Sequence, residues 1–444
     1  MSEQHTGRDT APDRTGRTKV VVTGLGTITP LGGDVAGTWE AMVRGRSGVR
    51  RLDAESRPES WTQEQDDMPP QLGAPVAVEP GSGLEPMQRR RLSRSAQLAV
   101  TAAEEAWHDS GLDTALVVPD RVAVIVSAAL GDMTAIINGW DALRSRGWNR
   151  VPPLTAPMSM GNGAASAVSM LVNARAGVNT TVNACSSGTQ ALATAADMIR
   201  RGTVDVVVAG GAEAPLHPLV LASFGAMRAL SKRVDDPAGA ARPFDAARDG
   251  MVLGEGAGIL VLESERHARE RGARVYAELA GVGITSDAYH VVQPDPTGAG
   301  TVRAVRAALA DAGVTPADVA YFNANGTASQ AGDAAEARAI QAVFGAAGQG
   351  PAVSGTKAMT GHSLGAAGAI EAVTTVLSLH HGLVPPTLNF NTPDEGVSID
   401  VVHGSALKLG SEQLVAVKNS AGFGGHNVAL TFRGSAAPRG AEGS

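Results

Sequence analysis

Runs of β-branched residues alternate with Ala-rich stretches along most of the chain. "KVVVTGLGTITP" (19–30) reads as a strand and turn, and "RVAVIVSAA" (121–129) as a buried strand. "RLSRSAQLAVTAAEEAWHDSG" (91–111) has helical spacing of apolar positions and a stop at Gly111. "SSGTQALATAADMIRRG" (186–202) predicts a helix with a glycine stop, and "VDVVVAGGAEA" (204–214) the strand after it. Further on, the pattern predicts helices over 301–312, 334–343 and 364–381. Strands are expected at "VAYFNA" (319–324), at 352–355 and at "LVAVKNSAG" (414–422). Long uninterrupted apolar strands imply sheets covered by helices on both faces, an α/β protein. Residues 50–90 are punctuated by Pro and Gly with weak periodicity and read as a surface excursion; 1–17 and 435–444 read as disordered tails.

Composition narrows the picture. The chain has 444 residues, 43% hydrophobic and 18% charged, enough for a large core. Its 54 glycines and 3% aromatics suggest close backbone packing and tight turns. A net charge of -7 argues against a nucleic-acid binder. One cysteine excludes an intrachain disulfide and Cys-rich zinc motifs, fits a reducing cytoplasm, and leaves no expected metal. The polar start is not a secretory signal, and no apolar run of about 18 residues predicts a membrane span.

Three motifs carry candidate chemistry. "VTGLGT" (22–27) has the Gly-x-Gly of nucleotide folds but lacks the third glycine, so a tight turn is the simpler reading. "GHSLG" (361–365) fits a nucleophile elbow around Ser363, yet "SGTKAMT" before it is a poor strand; a helix N-cap region is the plainer reading. "VNACSSGTQALA" (182–193) is the strongest signal. Cys185 ends an apolar segment just before a helix of small residues, where the helix dipole favours thiolate.

Together "ACSSG", "GGAEA" (210–214), "RPFDAARDGMVLGEGAGILVLE" (242–263), "NANGTASQAGDAAE" (323–336), "SGTKAMTGHSLGAAGAIEAV" (354–373) and "NSAGFGGHN" (419–427) resemble the β-ketoacyl synthases. The similarity is to the elongating, carrier-protein-dependent ketosynthases of fatty acid and type II polyketide assembly, and it runs over about 18–434. It implies a thiolase-like fold, two similar halves (18–270 and 271–434) in five layers αβαβα. It also implies a homodimer and an acyl carrier protein as partner. No cofactor is expected beyond the phosphopantetheine that arrives on the carrier.

By position, the resemblance makes Cys185 the nucleophile and His362 a catalytic histidine, kept neutral at a helix N-terminus. Lys357 and Glu371 match a supporting ion network. The amides of Cys185 and Ala421 match an oxyanion hole. Asp333 and Glu336 are expected to cap or support. Thr327, Ser329, Val292 and Phe423 fall along the pantetheine channel, and Arg89, Arg90, Arg91 and Arg228 where the family docks its carrier.

Three departures stand out: Asn325 replaces the family's first histidine, Ala421 its gating phenylalanine, and Val292 a pantetheine-contacting hydroxyl. Asn325 can donate a hydrogen bond but cannot shuttle a proton. Acyl transfer to Cys185 with weakened malonyl decarboxylation is therefore expected, and a pocket widened at Ala421. The enzyme would then cyclise the tethered chain or pass it on. A conventional decarboxylative synthase and a non-catalytic chain-length-factor-like partner remain as alternatives; the cysteine speaks against the second.

Overall fold

The computed structural model describes residues 17–52, 71–410 and 413–435. The expected tails lie outside them apart from Arg17 and Ser435, as does the middle of the 50–90 excursion. Ten strands form the main sheet: β1 (Val20–Ile28), β2 (Val122–Ser127), β3 (Gly177–Asn179), β4 (Val206–Glu213), β5 (Gly256–Ser264), β6 (Ala277–Ser286), β7 (Val319–Asn323), β8 (Ala352–Ser354), β9 (Gln413–Gly422) and β10 (His426–Ser435). The helices that matter here are α1 (Arg94–Asp109), α2 (Met133–Arg146), α3 (Ser187–Arg200), α4 (Pro218–Ala226), α5 (Ala299–Ala312), α6 (Gln330–Phe344) and α7 (Ala367–His381).

The strand order is β8-β7-β9-β10-β6-β1-β5-β4-β2-β3. Its two ends have the same design. β2 lies parallel to β3 and β4, with β5 and β1 antiparallel after them; β7 lies parallel to β8 and β9, with β10 and β6 antiparallel after them. The two half-sheets are joined where β1 pairs with β6, at Val21–Glu278 and Val22–Ala277. α1 covers the first half-sheet from outside and α5 the second. Between the half-sheets lie α3 and α7, each packed on strands of both. This is the five-layer, thiolase-like α/β arrangement.

Chemistry explains the layers. β4 and β5 are buried along their whole length, with no polar face to give to water. Almost every residue of α7 is buried, as a helix between two sheets requires. Ser93 caps α1, its side chain accepting from Ala96 N–H. At Gly26 and Gly24 a Cβ would stand 1.9 Å from Ala102 O and 2.2 Å from Ala106 O of α1. "VTGLGT" is thus no turn: its glycines lie mid-strand and let α1 settle on the backbone.

Most expected elements are present with ends shifted by a few residues. α6 starts at Gln330, earlier than expected, and α7 at Ala367, later, because Leu364–Ala366 is a 3-10 turn entered through Leu364 at φ 42.

Candidate active site

Cys185 lies on the turn leading from Thr180 into α3. Ser186 and Ser187 hydroxyls donate to Asn183 O and Ala184 O at 2.7 and 2.6 Å, tightening that turn. Ala184 takes φ 47, a left-handed conformation costing about 1–3 kcal/mol in a non-glycine residue. The turn presents the thiol to an apolar cluster of Leu216, Val220, Leu221 and Phe224, with Met251 and Leu364.

Burial pushes the Cys185 thiol up to about 11, and Lys357 only partly opposes it. The expected dipole-driven thiolate is therefore overturned. Cys185 stands two residues before the first helical residue, Ser187, among apolar side chains whose burial of the thiol disfavours its charged form.

The backbone amides bearing on the thiol are its own and that of Phe423, not Ala421. Ala421 is still inside the β9–β10 ladder, opposite Asn427. The chain reaches over Cys185 only after Gly422, where a Cβ would meet Asn183 O at 2.7 Å and Cys185 N at 3.1 Å. The aromatic beside the thiol is also Phe423, whose ring stacks on Phe224 at 6.1 Å between centroids. A bulky aromatic thus remains beside the thiol although position 421 is alanine.

His362 sits on the loop between the short helix Lys357–Thr360 and α7, its backbone donating to Val252 O at 2.7 Å. It is 1% exposed, and neither ring nitrogen has a hydrogen-bond partner. Burial, then the charges of Lys357 and Lys418, hold it neutral well below the ordinary histidine range. The ring is thus neutral, as expected, with burial and two lysines as the causes. Ser363 is buried without a strand before it and makes no cap hydrogen bond, so neither the elbow nor a side-chain N-cap is formed.

Asn325 follows β7, and the loop is shaped by two acids from α6. Glu336 accepts from Asn325 N at 2.7 Å, Gly326 N at 2.8 Å and Asn419 Nδ2 at 2.7 Å. Asp333 accepts from Phe244 N at 2.8 Å and Ala328 N at 3.1 Å; burial lifts its carboxyl to about 7. Lys357 Nζ donates to Asn325 O at 2.5 Å and to its Oδ1 at 3.3 Å, and pairs with Glu371 Oε1 at 2.6 Å. Thr327 and Ser329 hydroxyls are 2.8 Å apart next in the loop.

Val292 is 37% exposed beside the 422–425 turn, where Gly424 N donates to Val291 O at 2.8 Å. Arg228 is exposed just past α4, whose Phe224 borders Cys185. Arg89, Arg90 and Arg91 are exposed on a separate short helix and its continuation.

Two residues were not anticipated. Glu213, at the end of β4, accepts from Ala129, Leu130 and Gly365 N–H groups and ties the His362 loop to the loop after β2; burial raises it to about 7. Lys418, wholly buried in β9, pairs with Glu371 Oε2 at 2.9 Å. Its one visible signal was a lysine inside the apolar run "LVAVKNSAG".

The family models "Beta-ketoacyl synthase, N-terminal domain" and "Beta-ketoacyl synthase, C-terminal domain" match residues 17–268 and 276–391. The chain belongs to the β-ketoacyl synthase family. A 3-oxoacyl-[acyl-carrier-protein] synthase 2 of Staphylococcus aureus is 40% identical over 418 residues, 94% of this chain and 98% of that one. A synthase of the same name from Coxiella burnetii is 40% identical over 93% of this chain and 98% of its own length.

Among solved structures, a β-ketoacyl synthase from Burkholderia phymatum superposes with a TM-score of 0.84 at 34% identity, covering 94% of this chain and 99% of that one. A type II polyketide ketosynthase, solved with its acyl-carrier protein and bound to a hexaketide, gives 0.83 at 32% identity over 94% and 100%. The protein is a ketosynthase of the fatty acid and polyketide type. Among the described residues no helix is long and apolar enough to cross a membrane.

Proposed function

We propose that this ketosynthase takes an acyl chain from an acyl carrier protein onto Cys185 and then closes or transfers that chain, with malonyl decarboxylation weakened. In loading, Cys185 Sγ bonds to the acyl carbon and the carrier's thioester C–S bond breaks. The proton of the cysteine thiol ends on the carrier thiol. The amides of Cys185 and Phe423 are placed to hold the oxyanion between those steps. Thiolate is scarce in the resting site, so the thiol gives up its proton as the acyl group arrives.

The observation that carries the reading is the pairing of neutral, unpartnered His362 with Asn325. Where the resemblance implies two imidazoles for the enolate that decarboxylation creates, this chain supplies His362 and the Asn325 amide. Asn325 adds an amide donor, which neither titrates nor relays a proton. The carrier is supported by the solved relative bound to its acyl-carrier protein, and by exposed Arg228 above the thiol's cluster. Exposed β3 at the sheet edge supports pairing with a second chain, a homodimer in our reading.

Intact-protein mass spectrometry with a panel of acyl thioesters tests this. A single adduct on Cys185, absent in Cys185→Ala, is expected, with little carbon dioxide released from malonyl-carrier. An adduct that persists in Cys185→Ala refutes the nucleophile. Ordinary elongation would favour the second reading, a conventional synthase like the Staphylococcus aureus relative in name, in which the Asn325 amide suffices.

A further inference from the structure

Glu371 stands between two cations. Lys357 holds its Oε1 at 2.6 Å and Lys418 its Oε2 at 2.9 Å. All three side chains are at most 3% exposed. They come from three elements: α7, the short helix Lys357–Thr360 and β9. Lys418 also donates to Asn419 O, and its ammonium feels the α6 carboxylate of Glu336. The remaining polar neighbours are neutral: the Tyr321 phenol on β7, bonded to Ser354 and Asn323, and the His362 ring. Two ammoniums thus balance two carboxylates inside the protein.

We propose that Lys418 is a positioning residue for the reaction at Cys185: by occupying Glu371 Oε2 it leaves Lys357 shared between Oε1 and Asn325, which orients the Asn325 amide. A lysine can only donate, so the amide oxygen must face Lys357. The Asn325 Nδ2 group then points elsewhere, and none of the described hydrogen bonds uses it. It is free to donate to a substrate carbonyl. Without Lys418 both Glu371 oxygens compete for Lys357. The contact to Asn325 Oδ1, at 3.3 Å against 2.5 and 2.6 Å for the others, yields first. Lys418 is also one of the two cations that keep His362 neutral.

This inference rests on the proposed function, and the test separates the two. Cys185 loading is read by mass spectrometry, and turnover separately by kcat, KM and pH profile, in the unaltered enzyme, Lys418→Met and Lys418→Arg. Burial lowers Lys418 to about 8, so the unaltered enzyme should lose turnover as pH rises through that value. Lys418→Met should still load Cys185. Its kcat should fall ~10–100-fold with KM nearly unchanged, the scale of a misplaced catalytic group. Its alkaline limb should vanish. Its acid limb should move up in pH, because His362 has lost one opposing cation. Lys418→Arg should restore most of kcat.

A Lys418→Met enzyme with unaltered kcat and both limbs in place overturns the role. If Lys418→Met does not fold, the unaltered enzyme decides by itself, and no alkaline limb near 8 refutes the proposal. Failure of the unaltered enzyme to load Cys185 defeats the functional reading first, and the positioning role with it.

Discussion

Restoring imidazole at position 325 is the sharpest perturbation the site offers. The backbone here is held by Asn325 N and Gly326 N, each donating to Glu336, and by Lys357 donating to Asn325 O, none of which involves the Asn325 side chain. Asn325→His should therefore leave the loop in place. The ring nitrogen facing Lys357 must accept, so the other carries the proton and faces away as a donor. Burial, then the Lys357 and Lys418 ammoniums, hold His362 neutral, and a buried ring at 325 beside Lys357 should behave in the same way.

An electrostatic or acid/base group of this kind contributes ~10²–10⁴ in rate, about 2.7–5.4 kcal/mol at 1.36 kcal/mol per decade. The rest of the network is built around an amide, so a recovery of ~10–100-fold in decarboxylation is expected, not the full range. The native condensation or transfer should hold level or fall. Radiolabelled malonyl-carrier with a carbon dioxide trap measures the first, product analysis the second. Ordinary decarboxylation by the unaltered protein would falsify the reasoning. So would a well-folded Asn325→His enzyme that gains nothing.

Other expectations are simpler to measure. With its thiol near 11, Cys185 should react with iodoacetamide ~10²-fold more slowly at pH 8 than a free cysteine, and the rate should climb through pH 9 without a plateau. A plateau below pH 9 contradicts the burial argument. Charge reversal at Arg90 and Arg228 should weaken loading from a carrier-bound donor and spare a small thioester mimic; equal losses with both donors remove the docking role. Gly26→Ala forces a Cβ to 1.9 Å from Ala102 O and should lower stability by about 3 kcal/mol or more in a denaturant titration. A change under about 0.5 kcal/mol would mean that α1 can lift off the strand at little cost.

The sequence carried the long apolar strands and Ala-rich helices well, because their burial is one-dimensional: β2 and β4 are apolar on both faces wherever they are read. It concealed elements whose pattern is interrupted by glycine. β5 and β6 keep Gly256, Gly258, Gly281 and Gly283 because helix or strand backbone lies within 2.6 Å of where a Cβ would be. Such residues look like turns until the packing is known.

The site was legible as a set of motifs but not as a geometry. Ala421 and Phe423 are two residues apart, and only the turn after Gly422 decides whose amide meets Cys185. Lys418 was visible as an oddity in a strand, but its partner Glu371 is 47 residues earlier in the chain. The charge state of Cys185 is hard to read from sequence because a helix end is local and readable, whereas desolvation depends on a cluster drawn from distant segments.

The seam between the two half-sheets has a practical consequence. Cys185 belongs to the first half, and its neighbours Leu364 and Phe423 to the second. It is also the one thiol in the chain. A thiol reagent applied under native conditions must therefore pass between residues of both halves to meet the thiol. At a fixed pH its labelling rate becomes a clock for access across the seam, read without following catalysis. A ligand that bridges the seam should slow the clock by the factor its affinity dictates, so occupancy can be read from the protein even before any product has been identified.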